Sequence, residues 1–396
     1  MAQNKQNIVI CGNYGASNLG DEAILDGILA LVKKATPANI TVMSHNPEET
    51  AQAHQTNFAD ENQLKTVHLL PAGFRSFWRA LTKKGLLETL RAIKNCDIFI
   101  LGGGGLFTDE RPLAILIWSI QAAAARFFNK PIFCLGQSVG PLMTFFGRHM
   151  TKVVFKKAKV ITVRDASSAI VLQKLGIHNA HVLTDPAFFL DVEFEGPDAS
   201  GLTQTTSMSL SAKRENYVVL SVRPWSSHDE SKLKKLAKFI DWLYQKKGLR
   251  TVLVPFQFVL DNDVKPLEEI YNSVLNKNAV EIFEFTSDYR EVLKLMAKAK
   301  AVVGMRLHSL IFATLTETPF LALAYSQKVV SFVHSLQKEE YLLKWSHFEA
   351  EDLQDNFEKL LDNYELIQKN LAYKKPIFKN LAEQNSRYLS EILKNL

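Results

Sequence analysis

The stretch that decides the fold is Val302-Val303-Gly304-Met305-Arg306-Leu307-His308-Ser309-Leu310-Ile311-Phe312-Ala313. The apolar run from Ala301 to Gly304 predicts a buried strand, and the run from Ser309 to Thr314 predicts the first turns of a buried helix. Arg306 and His308 are then placed where the carboxyl end of a strand turns into a helix. Ligands bind at this edge of open α/β sheets, and a helix start favours anions. The stretch therefore predicts a site for a small, strongly anionic ligand; a structural Arg paired with a carboxylate, beside a core His, is the alternative.

The length and charge of the chain limit what it can be. Its 396 residues exceed what one hydrophobic core normally serves, so we expect two domains. The net charge of +6 is too small to indicate nucleic acid as a partner, but it is compatible with anionic substrates or an anionic membrane surface.

The cysteines and the N-terminus indicate the compartment. Cys11, Cys96 and Cys134 are scattered and lie in or beside apolar runs, which is typical of buried free thiols, and no Cys/His cluster suggests a metal site. The first residues contain no apolar segment of a secretory signal, and no apolar run approaches the roughly 18 residues of a membrane span. We expect a cytoplasmic protein.

Strand-like and helix-like segments alternate along both halves of the chain, with a break between them. From Phe194 to Glu215 the periodicity disappears, and Gly, Ser, Thr and charged residues dominate. The alternation predicts an α/β protein of two Rossmann-like parallel-sheet domains facing each other across a cleft. We place the domains at residues 1–195 and 215–396, the second including C-terminal helices, with a linker at 196–214.

Polar and glycine-rich segments follow the predicted strands of the first half. The segment from Gly12 to Leu25 contains Asn13, Gly20 and Asp21, and Asp21 is a candidate cap for a helix beginning near Glu22. Its spacing is not that of a dinucleotide-binding fingerprint. Four glycines, Gly102 to Gly105, follow a second strand and would leave backbone N–H groups uncovered for a substrate. Other strand-end residues in the first half are Asp109, Gln137 and Arg164.

The segment from Pro71 to Asn95 combines aromatic and basic residues. Its only acid is Glu88. A basic amphipathic helix of this kind is typical of a membrane-surface element, and a helix packed on the sheet with a solvated basic face is the alternative. The apolar and basic residues are Phe74, Phe77, Trp78, Leu81, Leu86, Leu87 and Leu90 with Arg75, Arg79, Lys83, Lys84, Arg91 and Lys94.

Several stretches, taken together and in order, resemble the polysaccharide pyruvyl transferase family. The Arg223-Pro224-Trp225 and Met305-to-Ser309 stretches look most like the branch that pyruvylates bacterial secondary cell-wall polymers for S-layer attachment. The stretches are Gly12 to Leu25, Gly102 to Asp109, Gly136 to Pro141, Thr162 to Asp165, Ser221 to Trp225, Gly304 to Ser309 and Tyr325 to Lys328.

The resemblance implies a fold like that of GT-B glycosyltransferases and the transfer of pyruvate from phosphoenolpyruvate to a sugar as a ketal. It implies that the second domain binds the donor and that the first binds the acceptor, a glycan or lipid-linked glycan, and completes the donor site. The implied donor-binding residues are Arg164, Arg306, Leu307, His308 and Lys328. Loop residues expected on the acceptor side are Gly12, Asn13, Gly20, Gly103, Gly104, Gln137 and Arg223.

The chemistry of such a donor fits these residue types. Arg side chains suit the geometry of carboxylate and phosphate groups. His308 is the candidate proton donor to the enol carbon, because imidazole titrates near neutral pH. Asp21, Asp109 and His228 are candidate bases for the attacking hydroxyl, and the sequence does not choose among them. We expect no metal and no cofactor besides the co-substrate.

Two other functions fit the same pattern. A GT-B glycosyltransferase would use a nucleotide-sugar and could place an Arg/Lys pair on its diphosphate. A non-catalytic polysaccharide-binding protein could retain the fold, although such a protein has no need for Arg164, Arg306, His308 and Lys328 together.

Overall fold

The structure, a computed structural model, describes most of the chain as two compact units. The described residues are 5–54, 64–72, 85–110, 112–192, 196–197, 203–204, 214–225, 230–259 and 262–396. The first unit contains Met1–Leu190 and Phe378–Leu396, and the second contains Asp191–Ile377.

The first unit is built on a sheet of seven parallel strands in the order β3-β2-β1-β4-β5-β6-β7. The strands are β1 (Gln6–Cys11), β2 (Ala38–Ser44), β3 (Leu64–His68), β4 (Ile98–Phe107), β5 (Ile132–Val139), β6 (Val160–Val163) and β7 (Ala180–Val182). The helices are α1 (Leu19–Ala35), α2 (Pro47–His54), α3 (Gly85–Asn95), α4 (Pro112–Phe127), α5 (Phe145–Lys156) and α6 (Ala166–Lys174). The central strands are apolar and buried, as expected for a sheet covered on both faces.

The second unit repeats this plan with six parallel strands in the order β12-β11-β10-β13-β14-β15. A short antiparallel pair, β8 (Gly196–Pro197) and β9 (Thr203–Gln204), precedes it. The strands are β10 (Tyr217–Ser221), β11 (Arg250–Leu253), β12 (Val280–Ile282), β13 (Ala301–Gly304), β14 (Phe320–Ala324) and β15 (Leu342–Lys344). The helices are α7 (Glu230–Trp242), α8 (Val264–Ser273), α9 (Tyr289–Lys298), α10 (Leu307–Leu315), α11 (Gln327–Leu336), α12 (Ala350–Asp362) and α13 (Tyr364–Lys394).

The strand order of each sheet reverses direction at one point, between β1 and β4 in the first unit and between β10 and β13 in the second. Connections on the two sides of such a point leave the sheet in opposite directions and open a crevice at the carboxyl ends of the strands. The prediction of two parallel-sheet α/β domains is confirmed, and each has one place where its topology favours a ligand.

The last helix differs from the predicted domain organisation. We assigned all of 215–396 to the second domain, but the part of α13 from Phe378 onward groups with the first unit. There Asn385 accepts a hydrogen bond of 2.7 Å from the buried Thr162, and the ring of Tyr388 stacks 4.6 Å from that of His181. A domain boundary drawn along the sequence cannot show that a helix returns to an earlier core. Of the predicted linker, 198–202 and 205–213 lie outside the described residues.

Candidate functional site

In the second unit, cationic residues follow three adjacent strands at their carboxyl ends. Ser221, Gly304 and Ala322 are register partners across β10, β13 and β14, so β10 and β13 end level with one another. Arg223 lies two residues beyond the first of these positions and Arg306 two residues beyond the second. The third strand continues to Ala324 and is followed by 325–328. Because β10 and β13 flank the reversal of strand order, these side chains lie at the predicted ligand crevice of this unit.

Tyr325 is the centre of the cationic group. Arg223 donates a hydrogen bond of 3.1 Å to its hydroxyl, and the guanidinium carbon lies 5.0 Å from the ring centroid. The Lys328 ammonium nitrogen lies 5.4 Å from the same centroid, and the Trp225 ring packs edge-on at 4.7 Å. Burial alone would raise the pKa of Tyr325, but Lys328, Arg223 and Arg306 outweigh it and lower that pKa to about 8. This electrostatic field favours a negative charge at the site.

Arg306 is held in position by a buried carboxylate. Asp263, which is fully buried before α8, accepts one hydrogen bond from Arg306 Nη2 at 2.5 Å and another from Nε at 3.1 Å. The carboxylate also accepts from the backbone N–H groups of Phe256 and Gln257. Such a fork fixes the guanidinium plane, so Arg306 is oriented before any ligand arrives. The contact with Asp263 is the structural ion pair that we gave as the alternative for Arg306.

A buried strand is followed by a helix on either side of Arg306, as predicted. The strand from Ala301 to Gly304 has the predicted bounds, whereas α10 begins at Leu307, two residues before the predicted start. A Cβ at Gly304 would overlap Ser309 Oγ, and that hydroxyl donates 2.6 Å to the Arg306 carbonyl. Leu307 is buried and His308 is half-buried in the first turn of the helix. His308 therefore lies beside the three cations at the same edge of the sheet.

In the first unit, the segment after β1 and the glycines of β4 meet at the corresponding crevice. Asn13 donates 2.7 Å to Asp21, and a Cβ at Gly104 would lie 3.1 Å from the other oxygen of that carboxylate. The side chain of Asn18 caps α1, accepting 3.0 Å from the N–H of Gly20, so Asp21 is not the cap that we predicted. Asp21 lies in the first turn instead and remains half-buried.

The four glycines are not a loop after a strand, as we predicted, but part of β4. The strand continues to Phe107 and pairs with β5, with a shift of register after Gly104. Gly103 and Gly104 have φ of +38° and +89°, which favour glycine, and a Cβ at Gly103 would overlap Ile24 of α1. Among the described residues, no atom beyond the two chain neighbours of the exposed Gly105 lies within 4 Å of a Cβ placed on it. A bulged, open backbone is therefore present here, as a site for a substrate requires.

A buried ionic triad lies below this segment, and the sequence analysis missed it. His54 Nδ1 is 2.5 Å from Asp26 Oδ1 and its Nε2 is 2.9 Å from Glu22 Oε2, and all three side chains are buried. Burial lowers the pKa of His54, but hydrogen bonds and charge from Asp26 and Glu22 raise it to about 9. The other oxygen of Glu22 accepts 2.8 Å from the N–H of Gly15. The triad therefore connects the core to the candidate loop.

Other predicted site residues have structural partners. Arg164 is nearly buried, pairs with Asp185 at 2.5 Å and donates 2.7 Å to Ser138. Asp109 accepts hydrogen bonds from the N–H and hydroxyl of Thr144 at the start of α5.

The remaining predicted residues differ in accessibility and unit. Gln137 is fully buried and donates 2.8 Å to the carbonyl of Leu101. Gly12 is buried, and a Cβ there would overlap the Tyr14 ring. Arg223, expected on the acceptor side, belongs to the second unit with the donor candidates. His228 and residues 73–84 of the predicted amphipathic segment lie outside the described residues.

The described part of the chain has neither a cluster of metal ligands nor a helix that could span a membrane. Within it, no group of three or more His, Cys, Asp or Glu side chains is arranged to hold a metal ion. None of the described helices is long and apolar enough to cross a bilayer.

Comparisons with known proteins identify relatives of the whole chain. Residues 18–327 match the family model described as polysaccharide pyruvyl transferase. The chain is 24% identical to the amylovoran biosynthesis protein AmsJ of Erwinia amylovora, over 92% of this chain and 94% of the relative.

Solved structures share the fold at low sequence identity. HepE from Anabaena, in complex with UDP and glucose, is similar with a TM-score of 0.65 and 14% identity, covering 99% of this chain and 100% of HepE. A glycosyltransferase from Rickettsia africae is similar with a TM-score of 0.61 and 14% identity, covering all of both chains. UDP-GlcNAc 2-epimerase from Neisseria meningitidis has a TM-score of 0.58 and 12% identity, over 98% and 99%. These similarities confirm the GT-B-like fold class.

Proposed function

This chain belongs to the polysaccharide pyruvyl transferase family, and on that premise we propose that it transfers pyruvate from phosphoenolpyruvate to a sugar of a cell-surface polysaccharide or its lipid-linked precursor. The enol carbon gains a proton and one sugar hydroxyl bonds to the neighbouring carbon. Phosphate leaves with the C–O bond electrons, and a second hydroxyl of the sugar closes a cyclic ketal. The two hydroxyl protons leave during these steps.

The observation that carries the proposal is the group of three cations and an imidazole at one crevice. Arg223, Arg306 and Lys328 each lower the pKa of Tyr325, so their fields overlap at its hydroxyl. Phosphoenolpyruvate presents a carboxylate and a phosphate on three carbons, and guanidinium and ammonium groups bind both. The Asp263 fork supports this assignment, because it fixes Arg306 and reduces the ordering that binding requires.

His308 is the proposed acid. It lies in the first turn of α10, directly after Arg306, so a donor held by Arg306 and the buried Leu307 backbone would be close to its ring. Imidazole is the side chain that enzymes use most often for general acid catalysis. Asp21 is the proposed base, because it is half-buried beside the open glycine backbone of β4, whereas Asp109 accepts two hydrogen bonds from Thr144 at the start of α5.

The crevice of the first unit is the proposed acceptor site. Gly103, Gly104 and the exposed Gly105 leave backbone uncovered beside Asn13 and Asp21, a combination suited to sugar hydroxyls. Arg164 is also proposed to bind the donor, and its pairing with Asp185 would orient it. We propose that the reaction requires neither a metal nor a further cofactor, because no step needs redox chemistry.

The finer assignments are also proposals. The acceptor is assigned to secondary cell-wall polymers, as in the family branch that the Arg223-to-Trp225 and Gly304-to-Ser309 stretches resemble. The enzyme is placed in the cytoplasm, in contact with the anionic inner face of the membrane, where a lipid-linked acceptor would be found. Within the described part of 71–95, α3 buries Thr89 and Ile93, and Leu86 and Leu90 pack against the core, which supports the alternative of a helix packed on the sheet.

The test is transfer of labelled pyruvate. Wild-type protein is incubated with carbon-labelled phosphoenolpyruvate and glycans extracted from the cells that make it, and phosphate release is measured alongside label in the glycan. Both are expected in equal amounts. His308→Ala should keep donor binding but lower turnover by about 100- to 10,000-fold. His334→Ala, at a histidine whose side chain is 78% exposed on α11, is the control and should keep full turnover. Near-native turnover of His308→Ala would remove that residue from the mechanism.

A further inference from the structure

A group of large apolar side chains is exposed at one end of the first unit. Met143, Phe145 and Phe146 have exposed fractions of 76%, 78% and 48%, and Leu113 at the start of α4 is 72% exposed. Asp109 links the start of α4 to the start of α5, because it precedes α4 and accepts a hydrogen bond of 2.6 Å from the N–H of Thr144. We call these four residues the apolar tip. Single exposed apolar residues are ordinary, but a contiguous group indicates an interaction surface.

Apart from Val153, the rest of the exposed face of α5 is basic. With 3.6 residues per turn, Phe145, His149, Lys152 and Lys156 lie along one side of the helix. Arg148 and Lys157 are exposed beside them. No Asp or Glu occurs from 142 to 164.

This face is not needed by the core. The opposite side of α5 supplies the packing, through the buried residues Gly147, Thr151, Val154 and Phe155. The tip presents two exposed Phe rings at the start of α5. An exposed apolar helix start followed by basic residues matches a lipid interface, in which rings enter among the acyl chains and ammonium groups reach the headgroups.

We propose that the apolar tip and the basic face of α5 dock on an anionic lipid bilayer. Charge complementarity selects this occupant over an uncharged surface, since polybasic segments are attracted to anionic headgroups. The tip lies after β4 and β5, at the same edge of the sheet as Gly103, Gly104 and Asp21. Resting on the proposed function, this arrangement brings a lipid-linked acceptor to the open glycine backbone. It does not depend on the segment 73–84.

Flotation with vesicles tests the proposal on the full-length protein. Wild type should float with vesicles of phosphatidylcholine and phosphatidylglycerol, less with phosphatidylcholine alone, and less at high salt because screening weakens the attraction. Phe145→Ser/Phe146→Ser should reduce the bound fraction at least tenfold. Phe127→Ser is the matched control, since Phe127 is 80% exposed at the far end of α4. It should bind like wild type.

Two double charge-reversal variants separate the electrostatic contribution to binding from that of the apolar tip. Lys152→Glu/Lys156→Glu should lose binding to anionic vesicles, whereas Lys359→Glu/Lys369→Glu, at exposed lysines of the second unit, should keep it. Equal binding by the tip variant and its control, or no flotation of wild type on any vesicle, overturns the proposal. So does sedimentation that shows the tip holding two copies together. Phosphoenolpyruvate binding is measured on each variant, so that a failure of docking with intact binding counts against this proposal alone.

Discussion

The hydroxyl of Tyr325 makes donor affinity depend on pH. As a phenolate it competes with an anionic donor for the same three cations, Arg223, Arg306 and Lys328. Binding of the donor therefore favours the protonated hydroxyl, and the protein takes up a proton as the anion enters. Tyr325→Phe removes the titrating group while it keeps the ring between Arg223 and Lys328.

The size of the effect follows from linkage. With the pKa of Tyr325 at about 8, the apparent Kd of the wild type should rise by a factor of about 1.1 at pH 7 and about 11 at pH 9 relative to its low-pH limit. The ratio of about tenfold corresponds to about 1.4 kcal/mol. The variant should show no such rise over this range. At pH 7 the donor affinity of the variant should fall slightly, because Arg223 loses its hydrogen bond to the Tyr325 hydroxyl. One such bond is worth roughly 0.5–1.5 kcal/mol.

Calorimetric titration of phosphoenolpyruvate at several pH values measures both quantities. Tyr373→Phe is the control, because Tyr373 is 68% exposed on α13, and it should retain the wild-type pH dependence. Buffers of different ionisation enthalpy report the proton uptake directly. If wild type and Tyr325→Phe weaken in parallel from pH 7 to pH 9, the titrating group is elsewhere and the reasoning is wrong.

Three further predictions concern stability, each measured by urea unfolding. Because the pKa of His54 is raised to about 9, its contribution is complete below its unfolded value near 6.5 and is lost as pH rises through 9; His54→Gln should abolish this loss of about 3 kcal/mol. Asp263→Asn should destabilise by about 3–5 kcal/mol, because it leaves the Arg306 guanidinium without its buried counter-charge. Gly27→Ala should cost about 1–3 kcal/mol, since its Cβ would overlap the Pro186 carbonyl.

Each of these has its contrary result. An unfolding free energy of wild type that is constant between pH 6.5 and 9.5 would show that His54 is not charged in the folded state. Asp263→Asn with wild-type stability would mean that Arg306 has an equivalent partner. Gly27→Ala with unchanged stability would show that the 3₁₀ turn at Pro186–Phe189 moves away from α1 without cost.

The second-unit crevice could be predicted because strand, turn and helix are consecutive in sequence. The run from Ala301 to Gly304 is apolar and short, so its strand bounds were predicted correctly. The placement of Arg306 and His308 at the turn from strand to helix then follows from their positions in the sequence. Their partner Asp263 comes from a distant connection after β11, and only the strand order places it beside them.

Long-range pairing also explains what the sequence analysis missed. Glu22 and Asp26 are spaced i,i+4 on the buried part of α1, and like charges at this spacing destabilise a helix unless a cation compensates them. That spacing was a signal for a partner, but nothing local identifies His54. Arg164 and Asp109 could be placed at strand ends from the sequence, but their partners could not be predicted, because Asp185 and Thr144 lie 21 and 35 residues away.

The most direct measurement is a comparison of two ligands on one protein. Calorimetric titration of wild type and Lys328→Ala with phosphoenolpyruvate and with uridine diphosphate separates a pyruvyl donor from a nucleotide-sugar donor. Lys328 contacts the Tyr325 ring from the surface of α11, so its truncation should leave the fold intact. We predict that wild type binds phosphoenolpyruvate, that Lys328→Ala binds it at least tenfold more weakly, and that uridine diphosphate gives no heat. Binding of uridine diphosphate without binding of phosphoenolpyruvate would contradict the proposed donor and favour a glycosyltransferase.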